Sequence, residues 1–240
     1  MLSRTRARSL AVLLCAVSGF GATLQHRTAT FQSQGARVTI DEYVSRATPT
    51  DAAAVILLYG SGGVRASAIP YAEQARLFAG TGRRVYLPRY LDVTRGSARE
   101  PELHYGMWAQ TVRDAIQYIQ SRTGIPPSRT AIAGYSLGAS VALSVAVLEP
   151  HLAGIVAWSG SLPDAYRDVN KLPPLLILHG ARDLVVPDSN ARQLAELCTM
   201  KQFRCELSIY PEEGHAFSAD GIARGNRRIQ AFLDSVLRSH

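Results

Sequence analysis

The stretch Arg129-Thr-Ala-Ile-Ala-Gly134-Tyr-Ser136-Leu-Gly138, which runs on to Leu148, decides the fold. Arg129 to Ala133 is short, apolar and β-branched, which predicts a strand. Ser136 to Leu148 is mostly apolar and long enough for a buried helix. Only a sharp turn separates them. Gly134 and Gly138 bracket that turn, because a side chain at either position would meet the strand or the helix across it. Ser136 then sits at the apex on strained backbone angles. The helix N-terminus behind it turns N–H groups and a positive dipole end toward any oxyanion formed there. The plainer reading of the same residues is a surface turn with an N-cap serine.

Working outward, strands alternate with helices on both sides of this turn. Ala54-Val-Ile-Leu-Leu-Tyr59 is a continuous apolar run, as expected of a strand buried on both faces. Arg84-Val-Tyr-Leu-Pro88, Gly154-Ile-Val-Ala-Trp158, Leu175-Leu-Ile-Leu-His179 and Glu206 to Tyr210 predict further strands, and residues 37–44 an early, half-exposed one. Helical spacing marks Tyr71 to Phe78, His104 to Arg122, Asp188 to Leu197 and Ile222 to Leu237. This alternation predicts an α/β fold, a mostly parallel sheet with helices on both faces. With no repeat or linker in view, one domain over residues 35–240 is the simplest division.

A serine nucleophile needs a base, and the base needs an orienting acid. His215 lies in Pro211-Glu-Glu-Gly-His-Ala-Phe217, a loop after the last strand, from which it can reach the apex. His179 reads as structural, and Glu212 and Glu213 lie too near His215 in sequence to orient it easily. Asp183 follows the strand 175–179 and projects from its carboxyl end, where open α/β sheets place their sites. The chain order serine, acid, histidine then holds. For an oxyanion hole, the Leu137 N–H supplies one donor. The Gly60-Ser-Gly-Gly63 strand end supplies the second, from Ser61 or Gly62. The same glycines lack the spacing and the lysine of a phosphate-binding loop.

Taken together, Gly134-Tyr-Ser-Leu-Gly138, His179-Gly-Ala-Arg-Asp183 and Glu213-Gly-His-Ala-Phe217 resemble the α/β-hydrolase superfamily, most closely its dienelactone-hydrolase-like branch, over roughly residues 35–238. The resemblance implies the α/β-hydrolase fold, a Ser136–His215–Asp183 triad and esterase chemistry on a small-molecule ester, with no cofactor and no metal. Two features depart from that branch. Its namesakes use a cysteine where this chain has Ser136, and many relatives have His-Gly where it has Tyr59-Gly60. Thioesterase, acyltransferase or peptidase chemistry on the same fold is the alternative, as is a non-catalytic binding module. The superfamily often inserts a lid between the strands that end at Trp158 and begin at Leu175. Here Ser159 to Pro174 is too short to build one. A shallow, open site is expected, with Tyr90, Trp158, Ser159 and Leu162 as candidate lining residues that bind small acyl esters.

Residues 1–22 carry Arg4, Arg6 and Arg8, then a short apolar run and small residues, the pattern of an export signal. The run is too short to span a bilayer. Periplasmic or secreted protein is therefore expected, with an organellar transit peptide as the alternative. Three units of the formal charge of +7 belong to this segment, and the remaining basic residues are scattered. That dispersal argues against a nucleic-acid partner. Beyond Cys15, the only cysteines are Cys198 and Cys205. The first ends a predicted helix and the second opens a predicted strand, so the pair can close a disulfide in an exported protein. Two buried thiols are the alternative. The sequence leaves the oligomeric state open.

Overall fold

A computed structural model describes residues 24–64 and 70–237. The export segment read at residues 1–22 lies outside the described residues. The strands are β1 (Leu24–Ser33), β2 (Ala36–Ser45), β3 (Ala54–Leu58), β4 (Arg84–Pro88), β5 (Thr130–Tyr135), β6 (Gly154–Trp158), β7 (Leu175–Gly180) and β8 (Cys205–Tyr210). The helices are α1 (Tyr71–Ala79), α2 (Pro101–Thr123), α3 (Leu137–Leu148), α4 (Ser189–Lys201) and α5 (Ala219–Val236). One sheet runs in the order β1-β2-β4-β3-β5-β6-β7-β8. From β4 to β8 every neighbouring pair is parallel, and β1 and β2 are antiparallel. Helices cover both faces, as expected of the α/β-hydrolase fold.

Every residue of β3, β5, β6 and β7 is buried, which is why these strands read as unbroken apolar runs. Helix α2 opens with Pro101 and ends at Gly124, whose φ of 75° is left-handed. Helix α5 is capped by Ser218, whose hydroxyl accepts the Gly221 N–H at 3.0 Å.

The sheet starts before residue 35. Strand β1 pairs with β2 over its full length through a turn at Gln34 and Gly35, both at positive φ. Residues His26 to Thr30 are exposed, so the strand lacks the apolar alternation that marks a strand in sequence. The Ser159–Pro174 connection holds one short 3-10 turn (Asp164–Tyr166) and no lid.

The parallel register brings the carboxyl ends of the inner strands to one edge. Leu58 pairs with Gly134, Tyr135 with Trp158, Trp158 with Leu178, and Gly180 with Tyr210. The loops leaving these residues carry Ser61, Ser136, Ser159, Asp183 and His215.

Candidate active site

Ser136 has φ 54° and ψ −123°, a backbone conformation that costs about 1–3 kcal/mol and persists only where its surroundings enforce it. The enforcement is visible. The Ser136 N–H donates to Trp158 O at 2.8 Å, and Ser136 O accepts from Ala139 N at 2.9 Å. A Cβ on Gly134 would overlap the Gly138 backbone, and one on Gly138 would overlap the Leu58 and Tyr59 carbonyls.

Two further loops meet this turn. His215 Nε2 lies 2.8 Å from Ser136 Oγ, and His215 Nδ1 lies 2.8 Å from Asp183 Oδ2. Because a carboxylate only accepts, Nδ1 carries the proton and Nε2 is left to accept from the serine hydroxyl. The Asp183 side chain is fully buried, and its Oδ1 accepts the N–H groups of Val185 at 2.9 Å and Val186 at 2.8 Å. Tyr135 donates its hydroxyl to His215 O at 2.8 Å. Burial, and then the Asp183 charge, push its phenol up to about 12, so it stays a donor.

Glu213 latches the His215 loop. Its buried carboxylate accepts the Ser218 N–H at 2.7 Å, the Ser218 hydroxyl at 2.8 Å and Arg224 Nη2 at 3.2 Å. Burial opposes its ionisation, but these partners outweigh it and hold the carboxyl below the usual glutamate range. Its carbonyl accepts the Arg182 N–H at 2.9 Å, tying the loop to the Asp183 loop.

Tyrosines pin the strand end that carries Ser61 and Gly62. Tyr90 donates to Tyr59 O at 2.6 Å, Tyr71 accepts the Gly60 N–H at 3.0 Å, and Tyr59 accepts the Leu91 N–H at 3.3 Å. The Gly60 N–H is thus already engaged. Ser61 and Gly62 are exposed beyond it. The Leu137 N–H opens α3, where helix N–H groups have no intrahelical acceptor.

The dienelactone hydrolase family model matches residues 44–231. The chain belongs to the dienelactone hydrolase family. A Salmonella typhimurium protein named "Putative carboxymethylenebutenolidase" is 30% identical over 119 residues, 45% of this chain and 43% of its own length. Acyl-protein thioesterase 1 of Debaryomyces hansenii is 30% identical over 137 residues, 54% of this chain and 57% of its own length. The chain therefore spans about half the length of the curated relatives it matches. A dienelactone hydrolase-like promiscuous phosphotriesterase from metagenomic libraries superposes with a TM-score of 0.77 at 16% identity, over 89% of this chain and 98% of that one. It shares the fold.

In this member of the dienelactone hydrolase family, Ser136, His215 and Asp183 come together, while the expected lining residues do not. Tyr90 has no exposed surface and its hydroxyl is spent on Tyr59 O. Trp158 and Ser159 are core residues, the indole packed edge-on against Tyr135 and Phe217. Leu162 is mostly buried and lines a cavity of about 270 Å³ with Arg167 and residues of α4, whose lining does not include Ser136. Tyr90 is covered by Tyr59 and by Trp108 of α2, and Trp158 by Tyr135 and Phe217, neighbours distant in the chain. Glu213 went unrecognised in the sequence, because its partners Ser218 and Arg224 carry no motif.

Cys198 and Cys205 form a disulfide between α4 and β8. Among the described residues, no cluster of histidine, cysteine or acidic side chains can hold a metal ion, and no helix is long and apolar enough to cross a membrane.

Proposed function

We propose that this hydrolase-family protein is a serine hydrolase that cleaves carboxylic esters. The observation that carries the reading is the unbroken contact chain from Ser136 Oγ through His215 to Asp183, with 2.8 Å at each step. His215 Nε2 takes the serine proton as Oγ attacks the acyl carbon. Asp183 holds the imidazole in the required tautomer and stabilises the imidazolium that forms. The Leu137 N–H and one N–H from Ser61 or Gly62 stabilise the tetrahedral oxyanion. His215 returns the proton to the leaving alkoxide, and water, deprotonated by the same imidazole, then releases the acid from the acyl-enzyme. Cysteine is not required for this cycle, because the aligned imidazole activates the serine hydroxyl.

The missing lid supports short or exposed acyl groups over long buried chains. The likeness to an acyl-protein thioesterase supports thioesters as a second substrate class. The disulfide supports export, with residues 1–22 as the signal and the hydrolase domain following it. The decisive experiment is labelling with a fluorophosphonate probe and peptide mapping, followed by turnover of p-nitrophenyl acetate and an acyl thioester. We expect the label on Ser136 and loss of turnover in Ser136→Ala. Label elsewhere, or wild-type turnover in the alanine variant, refutes the assignment.

A further inference from the structure

A second histidine stands behind the acid. His179, in β7, has no exposed side-chain surface. Its Nε2 lies 2.8 Å from Val186 O and 3.3 Å from Asp183 Oδ2, the carboxylate oxygen that also receives the His215 Nδ1–H. A carbonyl oxygen only accepts, so Nε2 carries the proton. The other ring nitrogen, Nδ1, is buried with no hydrogen-bond partner, and so is the hydroxyl of Ser159. Ser159 follows the last residue of β6 and its N–H donates to Leu178 O of β7 at 2.8 Å, one residue before His179. An N–H at Nδ1 would be buried with no acceptor, which places the N–H at Nε2 instead. The N–H edge of the ring is therefore turned to the Asp183 loop.

We infer that His179 is a positioning residue for the acid. Through Val186 O it closes the loop that runs from Gly180 back to β7. Through its N–H edge it fixes where Oδ2 sits and shares the negative charge that His215 sees. The Val185 and Val186 N–H groups hold Oδ1, and the His179 N–H, bonded to Val186 O, lies against Oδ2 at 3.3 Å without a second hydrogen bond. A misplaced acid lets the imidazole turn away from Ser136, and small displacements of this kind are costly to rate. The inference rests on the proposed Ser136–His215–Asp183 function, but its structural content is measurable without turnover.

The test uses ¹⁵N-histidine-labelled full-length protein and two variants. His179→Gln keeps an N–H near the Nε2 position, whereas His179→Leu fills the space without one. Wild-type spectra should show His179 protonated at Nε2 and bare at Nδ1. The low-field proton on His215 Nδ1 should shift in His179→Leu and return in His179→Gln. In parallel, kcat should fall about tenfold in His179→Leu with KM nearly unchanged, and recover in His179→Gln. A wild-type proton on Nδ1 overturns the inference. So does a leucine variant with the wild-type resonance and kcat, or a glutamine variant that behaves like leucine. If the leucine variant fails to fold, the wild-type tautomer and the glutamine variant decide. Loss of the functional reading would show separately, as wild-type protein with no Ser136-dependent turnover but an unchanged His179 tautomer.

Discussion

Replacing Glu213 with glutamine keeps the shape of the side chain and removes its charge. In the native protein the carboxylate accepts two hydrogen bonds from Ser218 and one from Arg224, all within 3.2 Å. Arg224 is 39% exposed, so its share is screened and small. The Ser218 bonds are part-buried and charge-assisted, each contributing up to about 1.5–3 kcal/mol. Glutamine can satisfy one of the two donors with its carbonyl, but its amide group faces the other. The expected loss at pH 7 is about 2–3 kcal/mol. In a domain of this size that lowers Tm by about 5–10 °C.

The pH dependence identifies the cause. The Glu213 carboxyl is held below its usual value, so its contribution is complete above about pH 4.3 and is lost as the pH falls through the native value. Each pH unit below about 4.3 removes up to about 1.4 kcal/mol from the wild type alone. Urea unfolding of both proteins from pH 7 to pH 3 should therefore show a stability gap that narrows on the acid side. A gap below about 0.5 kcal/mol at pH 7, or one that stays constant down to pH 3, would refute the latch. The loop carries His215, so kcat should fall as well, with KM less affected.

Three further outcomes are expected. Gly138→Ala should cost more than about 3 kcal/mol, read as loss of soluble protein or a large fall in Tm, because the new methyl overlaps the Leu58 and Tyr59 carbonyls. Tyr71→Phe strips the acceptor from the buried Gly60 N–H. It should cost about 1–3 kcal/mol in urea unfolding and lower kcat more than it raises KM. Cys198→Ser with Cys205→Ser opens a loop of sequence separation 7 and should cost about 2 kcal/mol, an effect that reduction of the wild type with dithiothreitol should reproduce.

The parts of this fold that were legible in sequence are those where sterics or burial leave a single choice. The Ser136 turn was readable because glycine alone fits at 134 and 138. Strands β3, β5, β6 and β7 were readable because strands buried on both faces are apolar throughout. Strand β1 was not, since its exposed polar face carries no period-2 signal and its hold on the sheet is mostly backbone pairing with β2. The role of Glu213 was missed for a related reason. Nearness to His215 argued against its orienting the ring, and that argument stands, but it says nothing about holding the loop. Tyr90 and Trp158 lie deeper than their place near a strand end suggests, because the groups that cover them, Trp108 and Phe217, are distant in the chain.

Each part of the site is fixed by a different device, and none of these devices is the Ser136, His215 or Asp183 side chain itself. The serine is held in its strained conformation by glycine contacts and by the Trp158 carbonyl. The acid is held by amides two and three residues beyond it, Val185 and Val186. The histidine loop is held by Glu213 against the first turn of α5, and the Ser61 strand end by buried tyrosines. Such separation has a physical rationale. In the proposed function, a nucleophile, a base and an acid 2.8 Å apart cannot also carry the energy that keeps them there, because their own hydrogen bonds would break and re-form at each turnover. Rigidity supplied from outside leaves the reacting bonds free to change while the heavy atoms stay in place, which is the condition for preorganised catalysis. It also explains why the sequence motifs and the stabilising residues barely overlap. The motifs mark the groups proposed to react, and the latches need only the right shape and one good hydrogen-bond partner.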